Sequence, residues 1–110
     1  MARLITIAAM EGLPPSLEVH LGDLVVVEAS GAHQLDGEEV ACLLGVFLQS
    51  VVGLHHQVLT PAGSPNAVVI HARGLGVAHL EMVTGDPWRS VRTVPFALIV
   101  SPGEGSPGEA

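Results

Sequence analysis

The sequence predicts an all-β protein, an antiparallel immunoglobulin-like β-sandwich of about seven strands, with a closed barrel as the alternative architecture. Three observations lead there. The apolar runs are short and rich in β-branched residues. Gly, Pro, Ser or Asp bounds nearly every one of them, as strands and turns require. Within the runs, apolar and polar residues alternate with the period of a pleated strand covered on one face.

Leu4 to Ile7 makes a first strand. The prolines of "GLPPS" then break the chain, because each removes a ladder donor. In "SLEVHLGDLVVVEAS", Leu17, Val19 and Leu21 face one way while Glu18 and His20 face the other. Gly22-Asp23 suits a tight turn. Leu24 to Glu28 is a richer run that reads as covered on both faces. Residues 31–39, "GAHQLDGEE", read as a polar loop.

The stretch from Val40 to Leu59 fits either strands or a buried helix. Gly45 and Gly53 weaken a helix by roughly 1 kcal/mol each, and the Val and Phe residues favour strands. One strand over about 40–48 and another over about 50–59 is the reading adopted. "TPAGSPN", residues 60–66, is a loop. Val68, Ile70 and Ala72 then alternate with Val69, His71 and Arg73. After the "GLG" turn, Ala78, Leu80 and Met82 alternate with Val77, His79 and Glu81. Val94, Phe96, Leu98 and Val100 close the pattern. Residues 1–101 form one domain in this reading, and 102–110, "PGEGSPGEA", form a tail with nothing to bury and an expectation of disorder.

Composition limits function. The chain has 110 residues, 11 Asp plus Glu, 4 Arg, no Lys and a net charge of −7. Phosphate neutralisation needs clustered Lys and Arg, so no nucleic acid is expected as partner. An anionic membrane surface is disfavoured for the same reason. The longest apolar stretch, Val40 to Leu54, is interrupted by Gly, Gln and Ser and is too short to span a bilayer as a helix. The opening "MARLITIAAMEG" lacks a cleavage pattern. With a single cysteine, Cys42, which permits no intrachain disulfide, this leads to an expected cytoplasmic location.

The residues offer little chemistry. Cys42, His79 and Met82 supply three letters of a blue-copper site, but their order is wrong for one ligand loop. His55 and His56 are adjacent, so a strand would split them between its faces. His71 and His79 are expected on the solvent faces of neighbouring strands. Cys42 sits in an apolar run without a nearby cation, where a thiol is buried and inert. Glu38 and Glu39 read as a solvated turn. No catalytic residue, metal site or cofactor is expected, and the chain reads as no enzyme.

The residue that stands out is Trp88, the only tryptophan, in the loop of "TGDPWRSVRT" at residues 84–93. Binding energy concentrates on exposed Trp and Arg. Asp86, Pro87, Trp88 and Arg89 are therefore the candidate partner-binding residues. The competing reading has the indole fold back as a lid on one end of the sandwich, with its N–H on a backbone carbonyl.

"SLEVHLGDLVVVEAS" and "VVIHARGLGVAHLEMVTGDPWRSVRTVPFALIV" together resemble the chagasin-type inhibitors of cysteine peptidases. Gly22-Asp23 matches the early "v-G-d/e-x-v-x-v" strand of that family. Gly76 and Pro87-Trp88 match its late glycine and "R-P-W" loop. The resemblance implies an immunoglobulin-like sandwich and a cysteine peptidase as partner, with Pro87 and Trp88 in contact. Two features depart from the family. Asp86 stands where the Arg of "R-P-W" would be. The early "N-P-T-T-G-[YF]" motif has no counterpart in "SGAHQLDGEEVAC". Two functions follow: a non-catalytic protein-binding module acting through its end loops, or a structural subunit that self-associates through the apolar strands of Val40 to Leu59.

Overall fold

In the computed structural model, which describes residues 2–8, 13–63, 66–84 and 91–103, residues of eight strands meet in one core. Val19, Val25, Val27, Val68, Ile70, Leu80, Met82, Phe96 and Leu98 are all at most 2% exposed. The inward sets expected over 68–72, 78–82 and 96–100 are the buried sets. Burying them is the dominant favourable contribution to folding.

Ten strands are present among the described residues: β1 (Leu4–Ile7), β2 (Ser16–His20), β3 (Leu24–Val27), β4 (Gly31–Asp36), β5 (Ala41–Phe47), β6 (Val51–Val52), β7 (Val58–Leu59), β8 (Ala67–Ala72), β9 (Gly76–Thr84) and β10 (Arg92–Ser101). Two four-stranded sheets form the sandwich. Their orders are β1-β3-β8-β5, here sheet A, and β2-β10-β9-β4, here sheet B. β6 and β7 form a separate hairpin.

The all-β sandwich is as expected, and its details refine the picture. Most pairings are antiparallel, but β1 runs parallel to β3 and β2 parallel to β10. The prolines of "GLPPS" explain this. They stop β1 from turning back in a hairpin, so the chain crosses to the other sheet before pairing again. The stretch 31–39, expected to be a loop, contains β4 over Gly31–Asp36. Its polar side chains conceal the strand because β4 is an edge of sheet B, with a bulge between Gln34 and Asp36 that leaves Leu35 exposed. The Val40 to Leu59 stretch is not helical. Its first strand is β5, and the strand expected over 50–59 is two short strands around a turn at Gly53 to His56. His56 takes a left-handed φ of 64° there.

Chain crossings fix two ends. At one, the turns 21–23, 37–40 and 73–75 carry the chain between sheets. Gly37 is needed there: its φ is +80°, and any Cβ would strike the backbone of Ala78. At the other end lie the connection 28–30 and the β6–β7 hairpin. The strand ends at Thr84 and Arg92 also lie there. The first is the turn end and the second the loop end.

Candidate functional site: the loop end of the sandwich

Register places the connections of the loop end side by side. Gly31 opposes Val83 at the start of β4, and Ser30 N–H donates to the Val83 carbonyl at 2.9 Å. The Ser30 hydroxyl donates to the same oxygen at 3.1 Å. The short connection 28–30 is thus tied to the end of β9. In sheet A, Phe47 opposes Ala67, and Asn66 N–H donates to the Phe47 carbonyl at 2.9 Å. This pairing fixes the base of the hairpin. Gln49 N–H donates to Asn66 Oδ1 at 3.0 Å, and the Ser50 and Thr60 hydroxyls lie 2.9 Å apart.

Beyond that base the hairpin is apolar and open to solvent. Leu54 at its turn is 95% exposed, and Val52 and Val58 are each 69% exposed. A shallow depression of about 330 Å³ is lined by Gln49, Val51, Leu59, Thr60 and Pro61. Exposed apolar residues scattered singly are ordinary, but five on one short hairpin, Val51, Val52, Leu54, Val58 and Leu59, form an exposed apolar cluster. The two inter-strand pairs, Val51 with Leu59 and Val52 with Val58, give it a defined backbone. The Val40 to Leu59 run was legible as over-rich in apolar residues. Its division into β5, with one face on the core, and an exposed hairpin was not.

Asp86, Pro87, Trp88 and Arg89 lie outside the described residues. The strands they join are in place, with Thr84 opposite Arg92 and Val83 opposite Thr93. The tail from 104 onward also lies outside the described residues.

The other chemistry-bearing residues are dispersed. His79 is exposed on β9 in sheet B, whereas His71 lies on β8 in sheet A, so the two are not on neighbouring strands. Alternation had placed both on outer faces, but the β8–β9 turn changes sheet. His79 Nδ1 lies 3.0 Å from Asp36 Oδ1, and its N–H donates to the same oxygen at 2.9 Å. These bonds from His79 hold the Asp36 carboxyl below its ordinary range. Cys42, expected to be buried, is free and half-buried on β5, opposite His71. Among the described residues no group of three or more His, Cys, Asp or Glu side chains is arranged to hold a metal ion. No described helix is long and apolar enough to cross a membrane.

The strongest electrostatic feature is at the turn end. Asp23 is fully buried, and its carboxylate accepts from Arg3 N–H at 3.0 Å and His20 N–H at 2.8 Å. It also accepts from Arg3 Nε at 3.1 Å and Nη2 at 2.7 Å. The Arg3 side chain is the main cause that lowers its pKa to about 2, with burial opposing and the backbone donors assisting. This is a clasp holding β1 to the turn before β3. The Gly22-Asp23 pair was readable as a turn, but its partner twenty residues upstream was not.

No family model matches the chain, and no curated protein matches it. Solved structures do. The cysteine protease inhibitor EhICP2 from Entamoeba histolytica aligns over 91% of this chain and 97% of its own, with 11% identity and a TM-score of 0.57. Amebosin aligns over 92% of this chain and 99% of its own, with 12% identity and a TM-score of 0.47. A Cu(I) form of an amicyanin mutant covers 91% of this chain and 82% of its own, with 20% identity and a TM-score of 0.41. The likeness to EhICP2 concerns the fold and spans nearly the whole of both chains. The chain shares the β-sandwich fold of EhICP2.

Proposed function

We propose that this protein is a non-catalytic protein-binding module that engages its partner through the loop end, and that the partner is a cysteine peptidase. The observation that carries the reading is the convergence at one end of a tied connection, 28–30, and an exposed apolar hairpin, 48–60. A rigid sandwich with clustered end loops holds contact residues with little ordering cost on binding. Apolar side chains already in solvent gain free energy when a cleft covers them. The sequence resemblance and the fold shared with EhICP2 supply the choice of partner class. Asp86, Pro87, Trp88 and Arg89 join strands that end at this same pole, so the Trp loop completes the surface in this proposal.

The test is inhibition of papain-like peptidases by the full chain, measured with a small fluorogenic substrate. Reversible inhibition with one protein bound per active site is expected. Trp88→Ala is expected to weaken binding by about 30-fold or more, the scale of an aromatic anchor, with the melting temperature unchanged. Absence of binding across a panel of such peptidases would refute the choice of partner. A large fall in melting temperature in Trp88→Ala would make the indole a lid instead.

The second reading, a self-associating structural subunit, draws on the same exposed residues together with Leu44 and Phe47 on β5, which are 51% and 49% exposed.

A further inference from the structure

The two sheets differ on their outer faces. Sheet B turns charged and ionisable residues outward, Glu18 on β2, His33 and Asp36 on β4, and His79 and Glu81 on β9, around the apolar Val77 on β9 and Ala97 and Ile99 on β10. Sheet A does not. Its inward residues are Val25 and Val27 on β3, Ile70 on β8 and Ile5 on β1, all packed in or against the core. The residues between them face outward: Leu4 on β1, Leu24 and Val26 on β3, Val69 on β8, and Cys42 and Phe47 on β5. The Phe47 ring lies against Gly45, covering the gap that its missing side chain leaves on that face. Thr6 and His71 are the polar members, and Glu28 follows β3 at the rim. No Asp, Glu, Lys or Arg occurs between Glu39 and Arg73, the stretch that supplies β5, the hairpin and β8.

Strands that are apolar on both sides are the pattern of a sheet covered on both faces. One face of sheet A is covered by sheet B. We infer that the other is a docking face for a second copy of this chain, forming a two-fold dimer in which the two A sheets stack. This sharpens the self-association reading by moving the contact from the hairpin to the outer face of sheet A. It is independent of the peptidase reading.

Charge selects the occupant. A chain of net charge −7 repels its own copies wherever carboxylates meet. Stacking the A sheets sets Glu18, Asp36 and Glu81 of both copies on opposite outer surfaces of a four-layer assembly. It also buries no ion, so no desolvation of a charge opposes it. A basic partner would gain nothing here, because the face has no carboxylate at its centre to attract one. A twisted sheet can also stack on its own copy about a two-fold axis, as aligned sheet-on-sheet packing does. Four strands about 4.8 Å apart and four to seven residues long cover roughly 350 Å² per copy, under half a standard interface. The dimer is therefore weak and concentration-dependent.

Sedimentation of the full chain tests this, over concentrations from about 5 to about 1,000 µM, in a range where an interface of this size assembles. The mass should rise from monomer toward dimer, and more so at high salt, which screens the repulsion. Val69→Glu and the more exposed Leu4→Glu should each abolish the dimer. Val77→Glu, on the outer face of sheet B, and Val52→Glu, on the hairpin, should leave it unchanged. Leu4 is 70% exposed, so its variant remains informative should Val69→Glu fail to fold. A strict monomer throughout would overturn the inference and leave the face to a different protein. A dimer that survives Leu4→Glu, or is lost only in Val52→Glu, would also overturn it, the latter moving the contact to the hairpin.

Discussion

Acid should release the first strand before the rest of the sandwich. The perturbation is protonation of Asp23, or its replacement in Asp23→Asn. The carboxyl is wholly buried and its pKa is lowered from 3.8 to about 2, chiefly by the Arg3 side chain. At about 1.4 kcal/mol per pH unit, that difference between unfolded and folded states amounts to about 2 kcal/mol of stability. The folded value lies below the unfolded one. The contribution is therefore complete above about pH 5, declines below pH 4 and is gone once the pH has fallen through 2. Arg3 is partly exposed, with 45% of its side chain accessible, so solvent screening makes the figure an upper one. Urea denaturation at a series of pH values measures it. Wild type should exceed Asp23→Asn by about 2 kcal/mol at pH 7, and the two curves should converge near pH 2. Hydrogen exchange gives the local readout. The amides of Leu24 and Glu28, which donate to the Arg3 and Ile7 carbonyls at 2.8 and 3.0 Å, should lose protection first. A difference between the two proteins that stays constant from pH 7 to pH 2 would refute the reasoning, because the charge would then contribute nothing.

Other perturbations separate the core from the surface. Leu80→Ala, at a side chain 1% exposed, should cost about 2–5 kcal/mol in urea denaturation. Leu54→Ser, at a side chain 95% exposed, should change stability by less than about 0.5 kcal/mol while weakening any partner that binds the hairpin. Gly74→Ala should be severely destabilising, by more than about 2 kcal/mol, because a Cβ there would collide with the Glu39 carbonyl oxygen. It should also break the bonds from Arg73 and Gly74 N–H to the Val40 carbonyl, visible as lost amide protection.

The inward-facing residues of β8, β9 and β10 could be read from alternation alone, because a strand with one covered face writes its burial into its sequence. β4 could not. Its Gly31, His33, Gln34 and Asp36 are turn-forming or polar, and the strand exists because its backbone completes the edge of sheet B along β9. Tertiary pairing there overrides local preference. The hairpin was hidden for the opposite reason. Val51, Val52, Val58 and Leu59 have strong strand preferences, so the reading ran through the turn, where only Gly53 and the left-handed His56 mark the reversal. The candidate residues Asp86 to Arg89 are singled out by composition, since a lone Trp between two strand-like runs calls for a reason. The Arg3–Asp23 clasp left no pattern, because a contact across twenty residues has no period.

The two ends of the sandwich differ in their side-chain bonding, and the difference is one of charge. Arg3 with Asp23, His79 with Asp36 and Arg73 with the Glu38 carbonyl all lie at the turn end. Hydrogen bonds that involve an ionised group are the stronger class, so this end is held closed. The side-chain bonds described at the loop end, from Ser30, Ser50 and Gln49, are between neutral groups. A partner docking on the hairpin displaces water from apolar side chains and neutral dipoles, which keeps the desolvation cost of that part of the contact low. Concentrating the ion pairs at one pole lets the other expose Leu54 and Val52 without loosening the core. The division predicts that stability and loop-end binding can be perturbed independently: Asp23→Asn should lower the melting temperature yet leave hairpin-mediated affinity within about twofold, since the two sites share no contacts and distant effects add. Loss of that affinity in step with the melting temperature would show that the poles are coupled through the strands.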